Sequence, residues 1–173
     1  MEKPLVNRVA SSGIITLNLE DYFPAGELKV FDIKEYLFHG LILKEKDFRT
    51  ALKEHDWEQY TAKNLAIHCS ADAIIPIWAY MLVANYAQPY ANMIVEGDEN
   101  TFYATAYHKA LAVLVPSDYD DKRIVIKGCS NKPVPVSAYV ELTRLLRPYA
   151  KSIMYGEPCS TVPIYKKPRP KRN

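Results

Sequence analysis

The chain has 173 residues, of which 49% are hydrophobic and 24% are charged, as in an average globular domain. No run of about 18 apolar residues occurs and the N-terminus lacks an apolar signal core, which excludes a transmembrane helix and argues against secretion. Three cysteines without CxxC spacing indicate free thiols in a reducing compartment. We therefore expect one cytoplasmic domain over residues 1–165, with no membrane association and with a real core.

The net charge of +2 depends on the C-terminal tail. Residues 166–173 carry five lysines and arginines and no acid, so that the rest of the chain has a net charge of −3 once these are removed from the total of +2. A basic tail interleaved with prolines is predicted to be disordered. Because such tails usually aid solubility, nucleic acid is not an expected partner.

The first part of the chain predicts two strands. Residues 14–19 and 28–33 are strand-like, and Phe23-Pro24-Ala25-Gly26 breaks the chain between them. The pattern indicates an N-terminal extension resembling a β-hairpin. Residues 34–46 give no clear assignment, and Asp47 then suits the N-cap of a helix.

Two later stretches resemble each other, one starting at Cys69 and ending at Gly97, the other starting at Cys129 and ending at Gly156. Both open with Cys-Ser, reach a proline before an Ala-Tyr pair, and contain a Pro-Tyr-Ala triplet. The residues that recur at an offset of 59 are Pro76, Ala79, Tyr80, Pro89, Tyr90, Ala91, Ile94 and Gly97. Eight identities at one spacing indicate an internal duplication.

Each copy, extended to about residues 64–97 and 123–156, predicts a strand, a loop, a helix and a second strand. The short apolar run that opens each copy is typical of a buried strand. Pro76 or Pro135 then suits the first turn of the helix. A further helix, capped by Thr101, separates the copies. This alternation predicts an α/β fold with a mostly parallel sheet, covered by helices on both faces and built from two duplicated βαβ units.

The cysteines give the leading interpretation of function. In a doubly wound sheet the first strands of the two copies lie side by side, so the loops at Cys69 and Cys129 would meet roughly 5 Å apart. Cys159 follows the last strand, which should lie beside the strand that precedes Cys129. Three thiolates, with His68 as a fourth ligand, suit zinc, iron or an iron–sulfur cluster.

The same loops allow two other interpretations. The polar candidates for ligand binding are Ser70, Asp72, Ser130, Lys132 and Ser160. Serine hydroxyls and loop amides can hold an anion beside an activated thiol, which predicts a thiol-dependent enzyme or a protein that binds a small anionic ligand. Alternatively, the cysteines are small packing residues in a non-catalytic protein-interaction module.

Three segments carry a resemblance to a known family: VNRVASSGIITLNLEDYFP, CSADAIIPIWAYML and IKGCSNKPVPVSAYVELTRLLRPYAKSIMYGEPCSTVP. Through them the chain resembles the DUF2480 family of uncharacterised bacterial proteins, found in the Bacteroidetes and relatives. The resemblance extends to about Lys167. It implies no activity and no catalytic residues, but it implies iron–sulfur cluster assembly proteins of the Suf type as partners. The leading hypothesis is therefore a metal- or iron–sulfur-related binding protein, an accessory of cluster assembly, whose Cys-Ser loops lie at the carboxyl edge of the sheet.

Overall fold

The computed structural model describes residues 13–128 and 131–168. The strands are β1 (Ile14–Asn18), β2 (Leu28–Asp32), β3 (Asn64–His68), β4 (Met93–Glu96), β5 (Arg123–Lys127), β6 (Ser152–Glu157) and β7 (Ser160–Lys166). The α-helices are α1 (Glu45–Glu54), α2 (Ile77–Ala87), α3 (Glu99–Ala112) and α4 (Val136–Leu146). None of the helices in these residues has the length and apolar character needed to span a lipid bilayer.

The chain divides into two compact units. The three-stranded unit comprises Ala25–Thr105, and the four-stranded unit comprises the described residues up to Pro24 and from Ala106 onward. Since the strands lie in two separate sheets, the prediction of one sheet is wrong. The coarser prediction, a mixed α/β protein with mostly parallel strands, is confirmed.

The three-stranded unit contains the sheet β2-β3-β4, in which all neighbours are parallel. Its core combines apolar residues of β2 and β3 with the inner faces of α1 and α2. The buried side chains include Phe31, Ile33, Phe48, Leu52, Trp57, Leu65, Ile67, Ala79 and Val83. The continuous burial of β3 from Asn64 to Ile67 explains its apolar sequence, because a central parallel strand is covered on both faces.

The four-stranded unit contains the sheet β1-β5-β6-β7, in which β1, β5 and β6 are parallel and β7 is antiparallel to β6. Helix α4 packs three residues, Ala138, Leu142 and Leu146, into the core of this unit. Residues 123–157 thus form strand, helix and parallel strand, as residues 64–96 do in the other unit.

The predicted hairpin at the N-terminus is wrong. β1 pairs with β5 and β2 pairs with β3, both in parallel, so the two strands belong to different sheets. Asn18 and Asp32 end these strands in the same way, because each side chain accepts a hydrogen bond from the backbone two residues later and starts a short 3₁₀ helix. The chain therefore leaves each strand in a new direction and does not fold back to pair.

Several local predictions differ from the structure. Lys44, rather than Asp47, is the N-cap residue of α1, and Asp47 lies within the helix. The Asp98 carboxylate accepts hydrogen bonds from the Thr101 amide at 2.8 Å and hydroxyl at 2.7 Å, so Asp98 takes the capping role expected of Thr101. Lys166 ends β7 and the Lys167 amide donates to the Lys151 carbonyl at 2.9 Å. The remainder of the predicted tail, 169–173, lies outside the described residues.

Candidate functional site

The Cys-Ser loop of the three-stranded unit is fixed to the end of β2. The Asp32 carboxylate accepts hydrogen bonds from the Ser70 amide at 3.0 Å and the Ser70 hydroxyl at 2.5 Å. His68 Nε2 lies 3.9 Å from Asp32 Oδ2. Ser70 therefore holds the loop in place by bonding within the protein, rather than facing a ligand with a free hydroxyl.

Carboxylates determine the electrostatics of this sheet edge. Burial opposes ionisation of Asp32, but hydrogen bonds from Ser70 and from the Lys34 amide, with the nearby His68, lower its pKa below the ordinary value. Desolvation raises the pKa of Tyr80, and the nearby carboxylates of Glu96 and Asp32 raise it further. The edge therefore keeps its carboxylate charged and its phenol protonated at neutral pH.

Cys69 is half-buried and packs against the core of the three-stranded unit. Its thiol donates a weak hydrogen bond to the Ala71 carbonyl, with a sulfur–oxygen distance of 3.7 Å. Asp72 is exposed on the same loop. These contacts are those of a packing cysteine, because the sulfur has its neighbours within the fold.

The corresponding loop of the four-stranded unit is only partly described, since Cys129 and Ser130 lie outside the described residues. After them, the Asn131 amide donates to Glu20 Oε1 at 2.8 Å, and Lys132 Nζ donates to the Glu20 carbonyl at 3.2 Å. An acidic residue near the end of the first strand thus accepts a backbone hydrogen bond from the loop in both units. Lys132 contributes to this contact within the chain.

Cys159 lies in the turn between β6 and β7, where it is exposed, and Ser160 begins β7 opposite Glu157. The prediction that the strand leading to Cys159 lies beside the strand before Cys129 is confirmed, because β6 pairs with β5. The predicted adjacency of the strands before Cys69 and Cys129 is wrong, because β3 and β5 belong to different sheets. Within residues 13–128 and 131–168, no group of three His, Cys, Asp or Glu side chains is arranged to hold a metal ion.

A feature that the sequence analysis missed is an apolar groove on the four-stranded unit, called the α4 groove below. It is a cavity of about 530 Å³ between helix α4 and the strands. Its lining residues are Ile126, Val134, Val136, Tyr139, Val140, Thr143, Met154, Tyr155 and Ile164. The sequence signal was the pair Val136 and Val140, which lies one helical turn apart outside the buried stripe of α4.

The α4 groove adjoins the partly described Cys-Ser loop. A Cβ atom at Gly128 would lie 2.7 Å from the Tyr139 hydroxyl, so the backbone just before Cys129 packs directly against this tyrosine. At the other wall, Ile164 is the residue skipped by the pairing between β6 and β7, since Ile153 pairs with Tyr165 and Met154 with Pro163. Such a β-bulge re-aims a side chain, and here Ile164 lines the groove.

The comparisons with known proteins identify one family. The family model described as "Protein of unknown function (DUF2480)" matches residues 3–167. Neither the curated proteins nor the solved structures gave a match. The match covers almost the full length of the chain, and on this evidence the chain belongs to the DUF2480 family.

Proposed function

We propose that the protein is a non-catalytic interaction module that binds an amphipathic helix of a partner protein in the α4 groove. The observation that carries the proposal is a groove whose lining is apolar and yet exposed. Val136 is 78% exposed, Val140 63% and Ile164 53%. Exposed apolar residues gathered around one cavity mark a binding surface more often than residues scattered singly.

The openness of the groove favours a protein segment over a small ligand. Pockets for small molecules bury about 70–90% of the ligand surface. Here three lining residues are more than half exposed, so an apolar small molecule in the groove would keep much of its own surface in water. A helix laid along α4 would cover the exposed side chains at a spacing of one turn, as when ridges pack into grooves.

The shape of β7 disfavours an added strand as the occupant. β7 is an edge strand, and Pro163 in its centre has no N–H to donate. The bulge at Ile164 interrupts its pairing with β6. A broken edge of this kind does not offer a continuous row of backbone partners, and so the recognition we propose uses side chains.

We also propose that the two βαβ segments derive from one duplicated unit, with helices on both faces of the sheets. In support, α2 and α4 begin after Pro76 and Pro135. Their C-cap residues, Gln88 and Arg147, have the same φ of −54° and ψ of −37°. The buried positions of α2 and the exposed pair Ile77 and Met81 recur in α4 at the same offset of 59.

The test compares Val140→Glu with Val113→Glu. Val113 is 81% exposed and does not line the groove, so the control introduces the same charge elsewhere. Both variants should keep their unfolding free energy within about 0.5 kcal/mol, because the changes are at the surface. A photo-crosslinking amino acid at 140 or 164 should link to one discrete partner protein in native cells, and at 113 it should not.

Purified partner should then bind Val140→Glu at least about tenfold more weakly than the unsubstituted protein, because a carboxylate would be buried against an apolar face. Val113→Glu should bind normally. A crosslinked product of two copies of this chain, or equal partner affinity for both variants, would refute the proposal.

A metal or iron–sulfur site at the Cys-Ser loops stays a prediction. A role as an accessory of iron–sulfur cluster assembly stays a prediction as well. The described residues do not supply a group of three ligands, and the half-buried Cys69 packs against a core. The prediction requires that Cys129→Ser lose bound metal, since a hydroxyl replaces a soft thiolate poorly. Metal analysis and an absorption spectrum of anaerobically purified protein check this, with Cys159→Ser as a second variant. A metal content far below one ion per chain in the unsubstituted protein would reject the predicted metal site.

A further inference from the structure

A second cavity of the four-stranded unit lies where the parallel strands begin, and it is called the basic cleft below. Ile14, Arg123, Ser152 and Lys166 form one row across β1, β5, β6 and β7. Residues paired in such a row project to the same face of a sheet. The row borders a cleft of about 510 Å³.

The cleft carries a strong excess of positive charge. Arg123, Lys151, Lys166 and Lys167 line it, and all four residues are exposed. The Asp121 carboxylate lies 3.3 Å from Lys151 Nζ and 3.8 Å from Lys167 Nζ. Within the described part of the chain, Arg123 and Lys166 form no ion pair. One neighbouring carboxylate therefore offsets four cations only in part.

Apolar side chains and one aromatic side chain also line the cleft. They are Ile14, Met154, Pro163 and Tyr165. The Arg147 guanidinium lies over the Tyr165 ring, 4.2 Å from its centroid. Cations beside an aromatic side chain suit a ligand that has both phosphates and planar bases.

We propose that the basic cleft binds single-stranded nucleic acid, with phosphates on the four cations and a base against Tyr165. This surface shares Met154 with the α4 groove, but the proposal does not depend on the function proposed for that groove. The cleft combines positive charge with a defined cavity, whereas the basic tail offers charge alone. The tail continues the charge in sequence with Arg169, Lys171 and Arg172 and no acid.

The spacing of the cations favours a strand over a free nucleotide. Arg123 and Lys166 are separated by two strand spacings, which is roughly 10 Å. Cations spread over this span meet successive phosphates of a chain. An acidic protein or an anionic membrane would satisfy the charges, but neither presents planar bases to Tyr165.

The test measures fluorescence anisotropy of labelled oligo(dT) and oligo(rU) of about 12 nucleotides, a length within the range of single-strand binding sites. The logarithm of the affinity should fall with the logarithm of salt concentration with a slope of about −3, if four cations each neutralise one phosphate. Arg123→Glu/Lys166→Glu should bind at least about tenfold more weakly and show a shallower slope. Tyr165→Leu should weaken binding with little change of slope, because it removes stacking and no charge.

The matched control is Lys46→Glu/Lys53→Glu, which makes the same change of net charge on the exposed side of α1. It should bind normally. A chain ending at Pro168 should keep measurable affinity that still depends on Arg123 and Lys166. The proposal is overturned if truncation abolishes binding while the cleft variant binds normally, or if free ATP competes as well as an oligonucleotide. It is also overturned if polyglutamate or phosphatidylserine vesicles bind as tightly as the oligonucleotides.

Discussion

Trp57→Ala should lower the free energy of unfolding by about 3–5 kcal/mol, the cost of removing a large aromatic side chain from a core. Trp57 is 7% exposed and lies between two rings in the three-stranded unit. Its ring stacks on Phe31 with centroids 5.7 Å apart and on Tyr86 with centroids 5.4 Å apart. Its indole N–H donates to the Leu52 carbonyl at 2.7 Å, near the end of α1. The substitution therefore creates a cavity and leaves a helix-terminal carbonyl without its donor.

Two variants separate these causes. Trp57→Phe keeps an aromatic ring between Phe31 and Tyr86 but has no donor, so it should cost only about 1–3 kcal/mol. Trp78→Ala is the matched control, because Trp78 is only partly buried against the same core. Chemical denaturation followed by far-UV circular dichroism is the suitable measurement, since the variants remove a fluorophore. Equal losses for Trp57→Ala and Trp78→Ala would contradict the role given to Trp57.

The sequence predicted local structure well because its signals act over short distances. Proline before α2 and α4, and proline after each helix, limit where a helix can begin and end. The apolar runs at β3 and β5 require burial whichever strand lies beside them. Each βαβ segment therefore follows from residues within about 35 positions of one another, as short crossover connections do.

The division into two sheets could not be predicted in the same way. It depends on the pairing of β1 with β5, more than a hundred residues later, and on the pairing of β2 with β3. No local pattern encodes these pairings. The simplest prediction from the sequence was a hairpin of β1 with β2. Strand β7 was missed because Pro163 and its mostly exposed residues do not give the alternation of a half-buried strand.

The candidate site shows the same limit. One interpretation had Ser70 hold an anion; in the structure its hydroxyl donates to Asp32, which only the pairing of β2 with β3 brings to it. The predicted adjacency of β3 and β5, on which the expected meeting of Cys69 and Cys129 rested, failed at the same step, because the two strands belong to different sheets. The α4 groove was hidden for another reason. Val136 and Val140 are apolar like the buried residues of α4, and sequence alone does not tell which face is covered.

The second large loss of stability is expected from a substitution at Gly156. This is one of the two glycines that the sequence places at the end of the second strand of each copy. It lies within β6, with a φ of +118°, opposite Thr161 of β7. A Cβ atom there would lie 2.6 Å from the Ser160 carbonyl oxygen, which belongs to the backbone and cannot rotate away. Gly156→Ala should therefore cost about 2–4 kcal/mol, from strained backbone together with the displacement of β7.

The control for Gly156→Ala is Gly13→Ala. Gly13 also has a positive φ, +63°, but nothing lies within 4 Å of a Cβ atom built there, so its loss should be only about 1 kcal/mol. β7 carries Ile164 of the α4 groove and Lys166 of the basic cleft. Gly156→Ala should for that reason speed hydrogen exchange of the β7 amides and weaken binding at both surfaces, whereas Gly13→Ala should change neither. Equal stability losses in the two variants, or a β7 that exchanges as slowly as before, would show that the β6–β7 pair tolerates a side chain at position 156.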